Sequence, residues 1–311
     1  MTICRTIVGT GLLATGLAVS AQTTGTPPPA PAAALSYVGS ETCKTCHEEI
    51  YNNLQKTPHF AIETGARRGW AQKSCESCHA PGSKHAESAS ADDIKNPAKL
   101  SAGDVDRTCL NCHLNEKTPV GRIASGHAKD EVACTSCHSV HGAGGAKLVD
   151  HKKPDINAKC ATCHVSQWAS FNRPYKHRLQ EGAMSCVDCH NPHASFRADS
   201  MRASFGNEPG CLQCHSDKRG PFVYEHPVQK LEGCGACHEP HGSANPRMLA
   251  RHNVADVCLE CHSNLPIPSA KNAKLGGVPP AFHDLRSARF QNCTVCHIKL
   301  HGSYVDRTFL R

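Results

Sequence analysis

The sequence is poor in the side chains that build an ordinary hydrophobic core. Aromatic residues make up only 5% of its 311 residues, whereas it contains 24 glycines and 20 prolines. Its apolar positions show no sustained helical or strand period. Because so little side-chain surface can be buried, such a chain cannot by itself offset the entropy of ordering its backbone. Something other than its own side chains must fill the interior.

Long apolar runs are also missing beyond the N-terminus. Residues 1–21 combine Arg5, a short apolar stretch and a small-residue cleavage site, which together predict a secretory signal peptide. A retained membrane anchor is the alternative, although the stretch is shorter than the roughly 20 apolar residues of a spanning helix. Cys4 would leave with the signal peptide, and no Cys stands at the cleavage point for lipid attachment. We therefore expect a secreted mature chain that is soluble by its own chemistry.

Signatures of common enzyme sites are missing as well. No nucleophile–base pair, carboxylate dyad or phosphate-binding loop stands out along the sequence. The side chains alone therefore indicate no particular reaction.

What the chain has in abundance is Cys, with 21 residues, and His, with 22. The motif CxxCH occurs ten times and accounts for every Cys of the mature chain. Numbered in chain order as motifs 1 to 10, the copies are CKTCH at Cys43-Cys46-His47, CESCH at Cys75-Cys78-His79, CLNCH at Cys109-Cys112-His113, CTSCH at Cys134-Cys137-His138, CATCH at Cys160-Cys163-His164, CVDCH at Cys186-Cys189-His190, CLQCH at Cys211-Cys214-His215, CGACH at Cys234-Cys237-His238, CLECH at Cys258-Cys261-His262 and CTVCH at Cys293-Cys296-His297.

This motif is typical of covalent c-type haem attachment, in which the two thiols add to the vinyl groups and the adjacent His is the proximal iron ligand. A short helical turn would place both sulfurs and the imidazole on one side of the ring. Zinc sites and disulfide scaffolds also use many Cys, but neither needs a His next to the second Cys ten times. We therefore expect ten haem c groups, each with its iron.

Bound haems change the meaning of the charge. The formal net charge of +7 falls to +6 once Arg5 is removed, and the propionates of ten haems would make the protein acidic. A nucleic-acid partner is therefore not indicated. The Lys and Arg side chains are better suited to pair with propionates.

A second set of His residues recurs around the even-numbered motifs. One follows each even motif, at His85, His141, His193, His241 and His301. Another precedes each even motif, at His59, His127, His177, His226 and His283. Ten irons need ten distal ligands, and these two sets supply ten. The sequence thus indicates a two-haem module used five times.

The spacing of the downstream His indicates how neighbouring haems are joined. In CHxxH the two His are at positions i and i+3, which share one helical face, so both cannot bind opposite sides of one iron. The second should bind a neighbouring haem. Two further residues, His151 and His252, remain outside this count and are either surface residues, propionate partners or replacements for one of the ten. With only four Met in the chain, bis-His ligation and a low-potential haem set are expected.

The ten motifs, the opening segment YVGSETCKTCHEEIYNNLQKTPHF and the repeated CHxPHG segments resemble the MtrA/DmsE family of periplasmic decahaem cytochromes, over essentially all of residues 37–311. The resemblance implies proximal roles for the ten motif His and distal roles for the additional ten. It also implies an elongated haem wire inside an outer-membrane β-barrel porin. The implied partners are an extracellular multihaem cytochrome or terminal reductase and a periplasmic or inner-membrane cytochrome donor.

We expect a multihaem cytochrome fold that is mostly irregular, with short α-helices and little or no β-sheet. The expected organisation is a signal peptide at 1–21, a Pro/Ala-rich linker at 22–36 and a decahaem domain at 37–311. The repeat divides this domain into five two-haem units. The family's description as two five-haem halves would instead place a boundary between 37–172 and 173–311.

Three functions from different classes fit the motifs. An electron conduit between the periplasm and an extracellular acceptor or donor follows if all ten irons are closed by two imidazoles. Metal or dimethyl sulfoxide respiration and iron oxidation would each use such a conduit. A multihaem reductase acting on a small oxyanion would need one open iron. A haem-storage or scaffolding protein would show no fast exchange of electrons between haems.

Overall fold

The computed structural model describes residues 34–114, 119–142, 152–195, 197–202, 208–262, 283–285 and 287–311. The predicted signal peptide, most of the predicted linker and His151 lie outside these residues. The chain divides into two units, Met1–Leu35 and Ser36–Arg311, and the second contains all ten motifs.

The described residues form short helices joined by turns, as the glycine- and proline-rich sequence predicts. The α-helices are Ser40–Lys44 (α1), Glu48–Leu54 (α2), Ala61–Thr64 (α3), Glu76–His79 (α4), Ser83–Ser88 (α5), Ala102–His113 (α6), Gly126–Lys129 (α7), Cys134–Cys137 (α8), Lys153–Ala161 (α9), Val165–Ser170 (α10), Cys186–Cys189 (α11), Val228–Leu231 (α12), Val254–Leu259 (α13) and Cys293–Cys296 (α14). Short 3-10 helices lie between them, at Pro58–Phe60, Ala66–Arg68, Pro97–Lys99, Pro119–Ala124, Ala198–Ser200, Gly210–Gln213, Ser216–Lys218, Cys234–Ala236, Pro246–Met248 and Ala288–Phe290.

The longest of these helices, α6, shows what a helix needs in this chain. Ser101 caps its N-terminus by accepting a hydrogen bond from the backbone N–H of Asp104. Val105 and Leu110 are buried, so this helix packs apolar side chains against the rest of the protein. The next longest, α9, has nine residues, and many of the others are a single turn. Helices this short are not stable alone and depend on what binds or packs against them.

β-Structure is confined, among the described residues, to four isolated antiparallel bridges. These bridges pair Tyr175 with Ser243, His190 with Met201, Tyr224 with Ser303 and His238 with Leu249. The expectation of a mostly irregular fold with short helices and little or no sheet is therefore confirmed for this part of the chain.

The apolar core is very small. Only seven apolar side chains of the described residues are buried, namely Tyr51, Leu54, Val105, Leu110, Phe171, Leu179 and Ala255. The buried polar and charged residues are more numerous. This agrees with the expectation that side chains alone do not fill the interior. None of the described helices has the length and apolar character needed to cross a membrane.

Candidate haem-binding sites

Each CxxCH motif lies on a tight helical turn. The backbone N–H of the motif His donates to the carbonyl of the first Cys, at 3.0 Å for His47 and Cys43 and at 2.8 Å for His190 and Cys186. The same bond recurs in seven more motifs, and motif 3 lies within helix α6. One turn thus holds two sulfurs and an imidazole together, as the motif chemistry requires. Among the described residues the twenty Cys of the motifs form no disulfide bonds.

The central feature of the structure is a set of ten facing imidazole pairs. Every motif His faces one of the ten additional His residues, with ring centroids 5.9 to 6.5 Å apart. The pairs are His47–His85, His59–His113, His79–His141, His127–His164, His138–His193, His177–His215, His190–His241, His226–His262, His238–His301 and His283–His297. No His is used twice, and none of the twenty is left over.

The separation of the rings fits a metal ion held between them. An imidazole nitrogen binds a metal at about 2 Å, and the ring centre lies roughly 1 Å behind that nitrogen. Two such ligands on opposite sides of one ion therefore put their ring centres about 6 Å apart, as found in all ten pairs. Among the described residues no group of three or more His, Cys, Asp or Glu side chains has metal-binding geometry, so the pairs stand apart from zinc-like sites.

The pairs follow a regular order along the chain. The motif His of motifs 2, 4, 6 and 8 each faces the His downstream of the next even motif, as in His138–His193. The motif His of motifs 3, 5, 7 and 9 each faces the His upstream of the preceding motif, as in His164–His127. Consecutive modules are therefore linked, because each contributes an imidazole to a pair whose other imidazole belongs to the preceding module.

Only the two ends of the series depart from this order. His85, which lies six residues after its motif His and not three, faces His47 of motif 1. His283 faces His297 of its own motif. Which additional His faces which motif could not be derived from the spacing, because the partners are distant in sequence.

Backbone carbonyls orient many of these rings. Nδ1 of His190 and of His238 each lies 2.9 Å from a carbonyl oxygen, of Asp199 and Arg247 respectively. A carbonyl can only accept, so Nδ1 carries the proton and Nε2 keeps its lone pair for a metal. Equivalent bonds join His79 to Lys95, His85 to Ser90, His127 to Pro192, His177 to Pro240 and His297 to Thr308.

Burial also favours the neutral, metal-binding form of the imidazole. Removal from water lowers the pKa of eight of these side chains, with repulsion from nearby His residues adding to most of them. The eight are His59, His79, His141, His193, His226, His241, His262 and His301. An imidazole must lose its proton to bind a metal, so this environment suits ligation.

Aromatic side chains support three of the additional His rings. Phe290 is stacked on His283 with ring centroids 4.4 Å apart, and Phe171 contacts His241 at 5.5 Å. Phe309 contacts His226 at 5.5 Å. Nδ1 of His283 is buried and has no hydrogen-bond partner among the described residues, so stacking takes the place of a carbonyl there.

The first Cys of each odd motif contacts the first Cys of the following even motif. The thiol contact between Cys43 and Cys75 raises the pKa of Cys43 and lowers that of Cys75 to about 6. The same contact joins Cys109 to Cys134, Cys160 to Cys186, Cys211 to Cys234 and Cys258 to Cys293. These five contacts group the motifs in pairs, as 1–2, 3–4, 5–6, 7–8 and 9–10.

The sequence did not reveal a buried polar residue three positions before several odd motifs. Asp106 accepts a hydrogen bond from the backbone N–H of Cys134 at 2.9 Å and forms a buried ion pair with Arg122 at 2.8 Å. Asn157 accepts one from the backbone N–H of Cys186 at 2.9 Å. A polar residue three positions before an odd motif was the signal that the sequence offered. In the structure these side chains hydrogen-bond to the following even motif and so join the two motifs of a pair.

One His remains outside this arrangement among the described residues. His252 is exposed.

Comparison with known proteins identifies the same CxxCH motif, with a doubled unit that joins an even motif to the odd motif after it. A family model for a doubled CXXCH motif matches residues 127–168, 177–220 and 226–266, each of which begins at an upstream His and holds two motifs. The chain is 35% identical over 272 residues to the multiheme cytochrome MtrA of Shewanella baltica, covering 85% of this chain and 78% of that protein.

Two more distant similarities cover less of the chain. The cytochrome c-type protein NrfB of Escherichia coli is 26% identical over 127 residues, which is 37% of this chain and 67% of that protein. The nine-heme cytochrome c of Desulfovibrio desulfuricans is 22% identical over 232 residues, which is 65% of this chain and 63% of that protein.

Proposed function

Because the chain belongs to the family of multihaem c-type cytochromes that includes MtrA, we propose that it carries electrons along ten covalently bound c-haems, between the periplasm and a redox partner outside the cell. Haem c binding and an electron-transfer role follow from this family membership. The number of haems, their ligands and the route are the proposal.

The main support for the proposal is the set of ten facing imidazole pairs. Each pair combines one motif His with one additional His, at a spacing that suits a single metal ion. In this assignment the two Cys of each motif hold the haem by thioether bonds. The motif His and its facing His would supply the two nitrogen ligands of that iron. Each bound haem supplies a one-electron redox centre.

The protein's own part is to hold, orient and space these centres. If two imidazoles hold each iron, no iron would be open to a substrate. The contacts between first Cys residues bring the motifs of each pair side by side. Burial, and then proximity to Cys109 and Cys112 of motif 3, raises the pKa of Cys78, so motifs 2 and 3 also lie close together. Close succession of centres is what rapid electron transfer requires.

The contacts support five two-haem units as the organisation of residues 37–311. Every one of the five Cys contacts joins an odd motif to the next even motif, as Cys211 and Cys234 do. The facing imidazoles then link one unit to the next, as His190 and His241 do. A boundary between two five-haem halves at residues 172 and 173 would separate Cys160 from Cys186, which are in contact.

The proposed place of the protein is the periplasm, in association with the outer membrane. The predicted signal peptide supports export, and similarity to the MtrA family supports a β-barrel porin as partner, with a cytochrome donor on the inner side and a multihaem cytochrome or terminal reductase outside. Since electrons can hop in both directions, respiration of metals or dimethyl sulfoxide and oxidation of iron are all compatible with this role.

The conduit role can be tested in liposomes that enclose a reduced viologen dye. The holoprotein and its barrel partner would be inserted together, and a ferric chelate added outside. We expect rapid oxidation of the dye only when both proteins are present. Dye oxidation equal to that of the barrel alone would refute the conduit role. Turnover of nitrite or sulfite by the holoprotein alone would favour the reductase hypothesis in its place.

The ligand assignment can be tested with His301→Ala. The facing pairs predict that this change opens the iron of motif 8, whose His238 faces His301, and leaves that of motif 10 closed. Binding of carbon monoxide by about one haem in ten is expected, with His252→Ala as the control that binds none.

Two combined variants decide which haem has opened. Adding Cys234→Ala and Cys237→Ala removes the haem of motif 8 and should abolish the new carbon monoxide binding. Adding Cys293→Ala and Cys296→Ala removes the haem of motif 10 and should leave it. The opposite pattern would overturn the assignment of His301.

A further inference from the structure

A short loop returns to the motif His in three of the even motifs. In motif 6, Nδ1 of His190 donates to the carbonyl of Asp199 at 2.9 Å. In motif 8, Nδ1 of His238 donates to the carbonyl of Arg247 at the same distance. In motif 10, Nδ1 of His297 donates to the carbonyl of Thr308 at 2.6 Å. The same arrangement therefore occurs three times in one chain.

These loops adopt a strained backbone conformation at or beside the carbonyl that they present. Asp199 and Ser200 both have φ of 51°, and Arg247 and Met248 have φ of 58° and 56°. In motif 10 the residue after the carbonyl, Phe309, has φ of 61°. Residues with a side chain rarely adopt such left-handed angles, and two in succession are less favourable still. Strain of this kind persists only where surrounding contacts hold it, and it is commonly found at functional sites.

A serine holds each loop in place. Ser243, only 3% exposed, donates to the carbonyl of Leu249 at 2.7 Å and accepts from the backbone N–H of Asn245 at 2.9 Å. Ser195 donates in the same way to the carbonyl of Met201 at 2.7 Å. Each of these serines thus ties the start of a loop to the residue two positions beyond the strained carbonyl.

Ser303 has a similar role in motif 10, where it bonds to the residue three positions beyond the carbonyl of Thr308. It is 2% exposed, donates to the carbonyl of Arg311 and accepts from the backbone N–H groups of Val305 and Asp306 at 3.2 and 3.0 Å. All three serines stand two residues after the downstream His of their motif.

We propose that Ser195, Ser243 and Ser303 are positioning residues that lower the reduction potentials of the haems at motifs 6, 8 and 10. This proposal rests on the axial role proposed above for His190, His238 and His297. By fixing the loop, each serine keeps a carbonyl on Nδ1 of the motif imidazole.

The physical link runs through the basicity of the imidazole. An N–H group that donates to a carbonyl leaves more electron density on the ring, so its other nitrogen is a stronger ligand. A stronger donor favours ferric over ferrous iron and therefore lowers the potential of that haem. Loss of the serine hydroxyl would free the loop to relax its strain and withdraw the carbonyl.

The other even motifs provide an internal contrast. The residue two positions after the downstream His is Glu87 in motif 2 and Ala143 in motif 4, so neither motif has the serine. His79 of motif 2 reaches a carbonyl too, that of Lys95, but through a longer segment that includes helix α5. The potential-lowering serine is therefore a property of the later even motifs.

The test is a spectroelectrochemical titration of holoproteins that carry Ser195→Ala, Ser243→Ala and Ser303→Ala, singly and together. Each single variant should displace one of ten one-electron components to higher potential, and the triple variant should displace three. Ser243→Thr, which keeps the hydroxyl, should restore the wild-type curve. Ser216→Ala, at an exposed serine beside His215, is the matched control and should leave the curve unchanged.

The haem content and the spin state of each variant distinguish a failure of the serine proposal from a failure of the proposed bis-His ligation. If the alanine variants keep their haems in the low-spin state but titrate like the wild type, the serine proposal is wrong while bis-His ligation stands. If wild type itself contains high-spin haem, the axial assignment is wrong. Should Ser243→Ala fail to mature, Asn245→Ala offers a milder loosening, because Asn245 Nδ2 also donates to Leu249 at 3.0 Å. An unshifted titration of that variant would then overturn the proposal.

Discussion

The two ends of the described chain are stabilised in different ways. The N-terminal region, residues 34–114, contains four of the seven buried apolar side chains, including Tyr51 and Leu110. It also buries Glu76, whose carboxylate accepts hydrogen bonds from three backbone N–H groups, those of residues 38, 39 and 82. This region therefore has a small core of its own.

The C-terminal region, the described residues from Phe171 to Arg311, has less side-chain packing and more pairing between modules. Tyr175 and Ser243 exchange backbone hydrogen bonds of 3.2 and 2.8 Å. Tyr224 and Ser303 exchange bonds of 2.8 and 2.9 Å in the equivalent place of the next module. A repeat can therefore be held by its connections to the next copy, and the proposed haems would supply the bulk that side chains do not.

Removal of one haem from each region should have the strongest consequence. Cys234→Ala with Cys237→Ala removes the haem of motif 8, and we expect the C-terminal region to become sensitive to protease because little else fills its interior. Cys109→Ala with Cys112→Ala removes the haem of motif 3. The N-terminal region should then stay more resistant to protease than the C-terminal region does after loss of the haem of motif 8. Limited proteolysis with mass spectrometry reports both, and equal sensitivity of the two regions would remove the distinction between them.

The next largest effect is a loss of stability when the ion pair that joins motifs 3 and 4 is broken. Asp106→Asn leaves the guanidinium of Arg122 buried without its carboxylate, and breaking a buried pair in this way costs about 3–5 kcal/mol. Denaturant unfolding of the holoprotein measures this cost. Asp104→Asn, in an exposed pair with Arg107, is the control and should change stability far less. A stability loss no larger than that of the control would show that the pair is not a structural link.

A similar but more variable loss is expected from the small core of the N-terminal region. Leu110→Ala removes a buried side chain from helix α6 and should reduce the free energy of unfolding by roughly 2–5 kcal/mol. Leu114→Ala, at a side chain that is 57% exposed just after the helix, serves as the comparison. If the two variants unfold alike, helix α6 does not pack as the structure indicates.

The mildest change tests the close approach of modules in the C-terminal region. Gly302 has φ of 138°, and a Cβ there would overlap the ring of Phe222. Gly302→Ala should displace that ring and weaken the Tyr224–Ser303 pairing, at a cost of about 1–3 kcal/mol. Gly235→Ala, where a Cβ meets nothing within 4 Å, is the control in thermal unfolding. Indistinguishable melting would show that the modules approach less closely.

Much of the fold class and the membership of the site could be predicted from the sequence. The motif count, the recurrence of His around even motifs and the shortage of apolar residues indicate short helices and ten candidate imidazole pairs. The pairing itself could not be predicted. His79 and His141, for example, are brought together by the return of the next module, which local spacing does not encode.

The supporting residues escaped prediction for a related reason. Asp106 and Ser243 look like ordinary polar residues of a loop-rich chain, since their importance comes from burial and from what they contact. The strained carbonyls of Asp199 and Arg247 carry no side-chain signal at all, because the relevant group is the backbone. Only their repetition at matched places in successive modules identifies them.

The proposed coordination of ten irons, each between two imidazoles, can be measured directly on the purified holoprotein. Intact-mass analysis counts the haems, and electron paramagnetic resonance of the oxidised form, followed by carbon monoxide addition to the reduced form, reports their ligation. We expect ten haems, low-spin signals throughout and no uptake of carbon monoxide. Fewer than ten haems, or a high-spin, carbon monoxide-binding fraction of about one-tenth or more, would contradict bis-imidazole ligation of every iron.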